Sequence, residues 1–201
     1  MRTTLTLRRP VAALAAAAAL ALTLAACGNS STPTTAASPT AATDSAAVAA
    51  AHTDPDVTFI NDMAPHHSGA IEMARLAAGQ AGNAQVKDLA NRIAGAQGPE
   101  IDRMKMMASA WQVNLNTDMH GMGGGMAGGG GDDVAALMPL RGAAFDKEFL
   151  TRMTAHHTSA VQMAKAELAQ GTNPQARALA SAVVSAQEKE LAEMAKLMNS
   201  V

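Results

Sequence analysis

An eleven-residue pattern, Met-x-x-His-His-x-x-Ala-x-x-Met, occurs twice in this chain of 201 residues. The first copy is Met63–Met73, and the second copy, Met153–Met163, follows ninety residues later. At about 100° per residue, the histidines, methionines and alanine of each copy fall within an arc of roughly 120° on an α-helix. The pattern therefore predicts two helices that each carry two imidazoles and two thioethers on an inward face. These groups are ligands for borderline and soft metal ions.

The two copies belong to a longer internal repeat. Residues 56–107 align with residues 146–197 at a constant offset of 90 without a gap, and 17 of the 52 positions are identical. A match at a fixed offset indicates that one structural unit is used twice.

Each unit is predicted to form a helical hairpin. In the first unit, apolar residues at helical spacing predict helices over about 56–78 and 84–111, joined by a short loop that ends in the N-cap candidate Asn83. In the second unit, Asn173 takes the N-cap position and Pro174 the first helical position. Short loops make the two helices of a unit antiparallel neighbours, so two units predict an all-α fold, a four-helix bundle.

Two prolines interrupt this helical pattern. Pro65 lies within the first predicted helix and Pro99 within the second, and each is expected to kink its helix or to start a new one there. The second unit has Ala155 and Lys189 at the corresponding positions, so the two halves are expected to differ in detail.

Residues 1–27 have the features of a bacterial lipoprotein signal. Arginines at positions 2, 8 and 9 precede an apolar run over residues 11–22, which is too short to span a membrane and is followed by Leu-Ala-Ala-Cys. This ending resembles a lipobox, in which Cys27 would be lipidated and would become the first residue of the mature chain. We therefore expect an extracytoplasmic protein that is anchored in the membrane, at the cell surface or the periplasmic face.

The rest of the chain divides by composition. Residues 28–53 are rich in Ser, Thr, Pro and Ala and are expected to be a disordered tether, and residues 54–201 are expected to form the bundle domain. Residues 114–142 join the two units as a flexible linker with a centre rich in Gly and Met. Without the three leader arginines, twelve basic residues stand against 17 acidic ones, so nucleic acid is not an expected partner.

The predicted inner face also carries two carboxylates. Glu100 and Glu190 occupy equivalent positions in the second helix of each unit, three residues after a glutamine. A buried carboxylate needs a partner, and the His-His pair of the preceding helix is the nearest candidate, so each glutamate either binds a metal or orients an imidazole. Adjacent histidines diverge by about 100° around a helix, so one metal need not take both.

Copper fits these ligands best, because thioethers suit Cu(I) and the chain has no cysteine besides Cys27. The candidate ligands in the two units are Met63, His66, His67, Met73, Glu100, Met104, Met153, His156, His157, Met163, Glu190 and Met194. The linker supplies a weaker candidate set, Met119, His120, Met122 and Met126. The alternatives are that Met73 and Met163 only pack in the core and that the linker methionines have no role.

The combined pattern resembles a bacterial family catalogued as domain of unknown function 305. The resemblance covers about residues 54–200 and is carried in both units by the His-His pair, its two flanking methionines and the later Gln-x-x-Glu. It implies a ferritin-like four-helix bundle that is usually secreted or lipid-anchored. It also implies copper binding, since some members are described as periplasmic copper-binding proteins. The Met-rich linker is not part of the family pattern.

Three functions are weighed. The residues favour a copper-binding protein that sequesters or hands on the metal without turnover, so no catalytic residue is expected. The alternative is a metal-free bundle in adhesion or envelope assembly, with the histidines at a pH-dependent interface. The third is a ferritin-like di-iron or di-manganese oxidase, although the chain has no Glu-x-x-His motif. The metal ion and the membrane are the expected partners, and a homodimer or a copper-transfer partner stays open.

Overall fold

The computed structural model describes residues 47–115 and 130–201, and all of the long elements are helices. None of the described residues forms a strand, so the prediction of an all-α fold is confirmed. Within the same residues, no helix is both long and apolar enough to cross a membrane. The five helices are α1 (Asp54–Gln80), α2 (Ala84–Trp111), α3 (Gly130–Leu137), α4 (Gly142–Gln170) and α5 (Pro174–Met198).

The second helix of each hairpin starts at the predicted asparagine cap. The Asn83 side chain accepts a hydrogen bond from the Gln85 backbone N–H at 2.8 Å, which satisfies one of the free donors at the start of α2. Asn173 does the same at the start of α5, and Pro174 takes the first helical position. Both predicted N-caps are therefore confirmed.

The prolines do not start new helices. α1 continues through Pro65 and α2 continues through Pro99, so that part of the expectation is wrong. An interior proline costs about 3 kcal/mol, because one backbone hydrogen bond is lost and the ring crowds the preceding turn. Each of these helices has buried residues on both sides of its proline, and the packing of both segments offsets that cost.

The interior is divided into two apolar cores. Core I joins the first half of α1 and the second half of α2 to the second half of α4 and the first half of α5. Core II joins the remaining halves of these helices. The larger members of core I are Phe59, Ile60, Met63, Ile101, Met104, Met107, Trp111, Leu179 and Val183. The larger members of core II are Met73, Val86, Leu89, Ile93, Leu137, Phe145, Phe149, Leu150, Met153, Met194 and Leu197.

The membership of the cores shows how the two repeats are arranged. α1 and α4 run antiparallel, because the end of α1 and the start of α4 meet in core II. Repeat partners lie in opposite cores: Phe59 is in core I and Phe149 in core II, and Met104 and Met194 divide in the same way. The two hairpins are therefore related by an approximate two-fold axis that exchanges the cores.

A buried carboxylate at the start of α1 holds the α4–α5 loop. Asp56 is fully buried and accepts hydrogen bonds from the Thr172 and Asn173 backbone N–H groups at 3.0 and 2.8 Å. It also accepts the Thr53 backbone N–H at 2.7 Å and hydroxyl at 2.6 Å, which forms a capping box for α1. Burial by itself would raise the pKa of Asp56, but these hydrogen bonds outweigh it and hold the pKa well below its usual range.

The repeat partner of Asp56 makes the reciprocal contact. Asp146 of α4 accepts the backbone N–H groups of Gly82 and Asn83 in the α1–α2 loop, at 3.1 and 2.8 Å. Each hairpin therefore uses one carboxylate to hold the loop of the other hairpin, and these two contacts are called the loop clamps.

The structure adds a short helix within the predicted linker. α3 packs Leu137 into core II, and the Gln80 side-chain amide donates to the backbone carbonyls of Leu137 and Leu140 at 2.9 and 3.1 Å. An ion pair between Asp133 and Arg152 joins α3 to α4. The end of the predicted linker is thus an ordered element, and eight residues are too few to show a helical period in the sequence.

The residues just before α1 also contact the bundle. The Trp111 indole N–H donates to the Ala49 carbonyl at 3.0 Å, and the same carbonyl accepts the Asn173 side-chain amide at 3.0 Å. Val48 packs against core I, and the His52 ring stacks on Trp111 with the ring centroids 4.7 Å apart. Residues 48, 49 and 52, which lie within the segment that composition assigns to the tether, therefore make packed contacts with the bundle.

The loop clamps predict a specific loss of stability. Asp56→Asn replaces a carboxylate that accepts hydrogen bonds from five donor groups with an amide that turns a donor toward backbone N–H groups, so we expect a loss of about 2–4 kcal/mol at pH 7. Urea unfolding measures it, with the exposed Asp54→Asn as the control, for which at most about 1 kcal/mol is expected.

The same variant has a predicted pH dependence. Because the folded pKa of Asp56 lies below the ordinary value of 3.8, the clamp contributes fully above that pH and is lost as the pH falls below it. The difference between wild type and Asp56→Asn should therefore shrink below about pH 4. An equal difference at pH 7 and at pH 3 would contradict the role of the carboxylate charge.

Candidate metal centre

A layer of polar side chains separates the two apolar cores. On α1, Ala64 belongs to core I and Ala70 to core II, and the His-His pair lies between them. The other three long helices pass from one core to the other in the same way, so each contributes polar residues at the crossing. The central layer consists of His66, His67, Gln97, Glu100, His156, His157, Gln187 and Glu190.

One histidine of each pair binds the glutamate of its own hairpin. The His67 Nε2 atom lies 2.7 Å from Glu100 Oε2, and the His157 Nε2 atom lies 2.8 Å from Glu190 Oε2. Both imidazoles are fully buried, whereas the two carboxylates are partly exposed. The partner predicted for each glutamate is therefore the one that the structure shows. A carboxylate bound at one ring nitrogen orients the ring, and the other ring nitrogen remains available as a ligand or a hydrogen-bonding group.

The other histidine of each pair meets its repeat partner. The His66 and His156 rings come from different hairpins, and their centroids are 3.6 Å apart with the planes tilted by 40°. Burial and the neighbouring His67 and His157 lower the pKa of His66 to about 3. Burial and the neighbouring histidines also lower the pKa of His156 well below its usual range. Both rings are thus held neutral at pH 7, and a neutral imidazole is the form that binds metals.

The central layer contains buried polar atoms without a hydrogen-bond partner. Neither nitrogen of His66 or His156 has one, and His67 and His157 each lack a partner at Nδ1. The side-chain amides of Gln97 and Gln187 also lack partners. Buried polar groups are normally hydrogen-bonded, and each exception costs about 1–3 kcal/mol. Such a concentration of free donor atoms in one layer fits a site that binds a metal ion with imidazole ligands.

The predicted methionine ligands divide between the cores. Met63 and Met104 are fully buried in core I, whereas Met73, Met153 and Met194 are fully buried in core II. Met163 is partly buried against core I. The Met194 sulfur accepts the Thr154 hydroxyl at 3.7 Å, so it already has a polar partner. The thioethers therefore lie on both sides of the central layer and do not form one compact group.

In residues 47–115 and 130–201, no group of three or more His, Cys, Asp or Glu side chains is arranged to hold a metal ion. Zinc sites typically require four such ligands, or three with a water molecule. The cross-hairpin pair His66–His156, with thioethers and amides around it, is a sparser and softer donor set. Imidazole and thioether ligands suit Cu(I).

Some predicted residues lie outside the described part of the chain. These are the lipidation candidate and the linker candidates, Cys27, Met119, His120, Met122 and Met126. The glutamines three residues before each glutamate, Gln97 and Gln187, were noted in the sequence but were not counted as donors to a metal. Sequence reasoning also missed the contact between His66 and His156. The signal for the glutamines was their spacing of three residues from each glutamate.

Comparison with known protein families identifies a family that matches this chain. The family model described as "Domain of unknown function (DUF305)" matches residues 56–198, which is most of the bundle. The chain belongs to this family. A search of curated proteins finds no match.

Several solved structures of DUF305 proteins and of CopM share the fold. CopM in its Cu(II)-bound form is 30% identical, covers 72% of this chain and 96% of its own, and superposes with a TM-score of 0.63. CopM in its Cu(I)-bound form is 29% identical over similar shares, 72% and 96%, with a TM-score of 0.62. A DUF305 protein of Streptomyces coelicolor that is thought to be secreted is 27% identical, covering 73% of this chain and 93% of its own, with a TM-score of 0.63.

The central histidines are expected to lower the stability of the metal-free protein, although they supply the candidate metal ligands. Replacing both His66 and His156 with Leu removes four buried nitrogens that have no partner, so the metal-free variant should be at least as stable as wild type at pH 7. Since both folded pKa values lie below 6.5, these two histidines cost wild type stability as the pH falls through 6.5, and the variant lacks this contribution.

At pH 5 this effect amounts to at most about 2 kcal/mol for each histidine. Thermal unfolding at pH 7 and pH 5 measures it, and His52→Leu, on the Trp111 surface, should keep the wild-type pH dependence. A large loss of stability in the double variant at pH 7 would mean that the imidazoles are needed for packing.

Proposed function

We propose that this protein binds copper in the central layer, without catalytic turnover, to sequester the metal or to hand it on. The observation that carries the proposal is the buried His66–His156 contact, in which two neutral imidazoles from different hairpins meet with all four ring nitrogens free of hydrogen-bond partners. A metal bound by one nitrogen of each ring would join the two halves of the fold, and the rings, whose centroids are 3.6 Å apart, would have to separate to admit it.

The donor set supports copper in particular. Imidazole binds both copper oxidation states, and the thioethers of Met63 and Met104 on one side and Met153 on the other suit Cu(I). CopM, which shares the fold, has been crystallised with Cu(I), Cu(II) and silver. Silver is a soft monovalent ion like Cu(I), so the same kind of site accommodates both.

Glu100 and Glu190 are proposed to orient ligands. Each carboxylate binds the Nε2 atom of its neighbouring histidine, which leaves Nδ1 of that ring free toward the layer. A carboxylate partner fixes the ring and increases the basicity of the free nitrogen. His67 and His157 are proposed as further ligands whose rings would have to move toward the cross-hairpin pair, because the described residues contain no group of three or more such side chains arranged around one metal. Among the candidate methionines of the bundle, Met73 and Met163 lie the largest number of residues along their helices from the histidines and glutamates of the central layer.

We also propose that the protein acts outside the cytoplasm as a lipoprotein attached through Cys27. The support is the leader sequence and the Leu-Ala-Ala-Cys motif, together with the secreted character attributed to the Streptomyces coelicolor relative. A lipid anchor would keep the bound copper close to the membrane. A homodimer or a protein that receives the copper is compatible with this role.

A Cu(I) titration tests the copper proposal. The full-length chain carries Cys27→Ser so that the thiol contributes nothing, and it competes with a chromophoric Cu(I) chelator under anaerobic, reducing conditions. We expect stoichiometric binding tighter than micromolar. Replacement of His66, His67, His156 and His157 with Ala should abolish this binding while the far-ultraviolet circular dichroism stays helical.

Matched variants separate binding from folding. His52→Ala removes a histidine that stacks on Trp111, and it should leave the copper affinity unchanged. The His66→Leu, His156→Leu variant should fold and fail to bind. If wild type does not compete with the chelator, the copper proposal fails and a metal-free bundle remains.

The linker provides an independent prediction. Replacing Met119, His120, Met122 and Met126 with Ala or Ser should remove at most one weak additional copper ion, because the proposed site uses the histidines of the central layer. The same chelator titration measures the stoichiometry. Complete loss of tight binding in this variant would move the site from the central layer to the linker.

A further inference from the structure

A groove lies between the first half of α1 and the second half of α4. It encloses a cavity of about 440 Å³ whose apolar wall includes Phe59, Met163 and Ala166. Asp62 and Glu167 also line it, and none of the lining residues is basic. This cavity is as large as the pockets that hold small ligands or the side chains of a short peptide. The groove that contains this cavity is called the open groove.

The approximate two-fold axis relates the open groove to one that is already filled. The equivalent groove lies between the second half of α1 and the first half of α4, and α3 occupies it with Leu137 in core II and Val134 packed against that core. The chain therefore closes one of the two equivalent grooves with a short helix of its own. The open groove is lined by the same two helices, α1 and α4, in their other halves.

Repeat partners in the two grooves show which features they share. Gln80 donates to two backbone carbonyls at the end of α3, and its partner Gln170 lines the open groove. A helix in the open groove would thus find the same amide donor for its terminal carbonyls. Leu76 packs against core II beside α3, whereas its partner Ala166 is smaller and leaves additional space.

The open groove carries an acidic residue at the position where the filled groove carries a basic one. Arg152 pairs with Asp133 of α3, and the repeat partner of Arg152 is Asp62, which lines the open groove. Partial burial raises the pKa of Asp62, since no basic side chain among the lining residues compensates it. Where α3 presents a carboxylate, an occupant of the open groove must therefore present a cation.

A second carboxyl group lies at the open groove, close to Asp56 and Arg177. Glu167 is 1% exposed, and neither carboxyl oxygen has a hydrogen-bond partner. Its carboxyl group fills the space that a side chain at Gly171 would need, since a Cβ there would lie 2.1 Å from Oε1. The other hairpin has Ala77 and Ala81 at these two positions, so the fold does not require the glutamate. Burial and the nearby Asp56 raise the pKa of Glu167 to about 7.

We propose that the open groove docks a short basic amphipathic helix of another protein, in the manner in which α3 fills the equivalent groove. Apolar side chains one turn apart would enter the cavity, and a Lys or Arg would pair with Asp62 where Asp133 pairs with Arg152. Glu167 adds a second acidic group near the apolar contact. The surface does not depend on the copper site, so either proposal can fail without the other.

Charge excludes the occupants that this chain itself could supply. Residues 28–46 and 116–129 contain no Lys or Arg, and the arginines at positions 2, 8 and 9 belong to the predicted leader. The α3 helix of a second copy carries Asp132 and Asp133, which would face Asp62 with like charge. A partner protein with a basic helix is the occupant that the charges favour.

Two peptides test the proposal directly. The first has the sequence of residues 130–140 with Asp132→Lys and Asp133→Lys, and the second has the unchanged sequence as its matched control. Chemical-shift perturbation of the full-length chain, which detects weak binding, is recorded with each peptide at low salt. We expect the lysine peptide to bind at least about tenfold more tightly than the control and to weaken as salt is added.

Two variants of the protein complete the test. Asp62→Arg gives the open groove the charge of the filled one, so it should reverse the preference and favour the unchanged peptide. Ala166→Trp, at an exposed position, should fill the groove and abolish binding of both peptides without loss of helicity. Circular dichroism and thermal unfolding establish that each variant is folded.

Several outcomes would overturn the proposal. These are failure of the lysine peptide to bind wild type, binding that Ala166→Trp leaves unchanged, and equal binding of both peptides to wild type and to Asp62→Arg. Sedimentation velocity adds another: a dimer that Ala166→Trp dissociates would make a second copy the occupant instead of a partner protein.

Discussion

The burial of polar side chains between two apolar cores governs this fold. Every long helix passes from one core to the other, so each must carry its polar residues through the centre of the bundle. Buried imidazole and amide groups without partners each cost about 1–3 kcal/mol, and the packing of both cores must offset that cost. The fold therefore maintains at its centre a set of buried polar atoms whose burial is unfavourable, and the copper proposal gives these atoms a role.

The loop clamps determine which groups meet in that centre. Asp56 and Asp146 each bind the loop of the other hairpin, so they fix how far α1 is shifted along α4. A shift by one helical turn would separate His66 from His156, because a turn advances the helix by about 5.4 Å. The ends of the bundle thus control the geometry of the central layer. The continuity of α1 through Pro65, one residue before the histidines, agrees with this, since both flanking segments are held in place.

The departures from two-fold symmetry include the two prolines beside the central layer and, farther from it, the grooves between α1 and α4. The histidines, glutamines and glutamates of the layer are identical in the two repeats. The grooves between α1 and α4 differ: one is filled by α3 and carries Arg152, whereas the other is open and carries Asp62 and Glu167. The two halves therefore contribute identical polar residues to the central layer, and they differ in the grooves between α1 and α4. Such a division would allow the proposed partner helix to bind one surface without disturbing the copper site proposed at the centre.

The sequence by itself determined the local features: the helical hairpins, the caps at Asn83 and Asn173, and the inner face that carries the histidines. These depend on the 3.6-residue period and on interactions within a few residues, which can be read along the chain. It could not predict α3, because eight residues show too little of that period, nor the docking of residues 48–52, because their contacts are with residues distant in sequence. Which histidine of each His-His pair contacts the glutamate, and which contacts the other hairpin, was also decided only by the tertiary structure. Adjacent histidines point about 100° apart, so the packing of α2 and α4 against α1 determines that His67 meets Glu100 and that His66 meets His156.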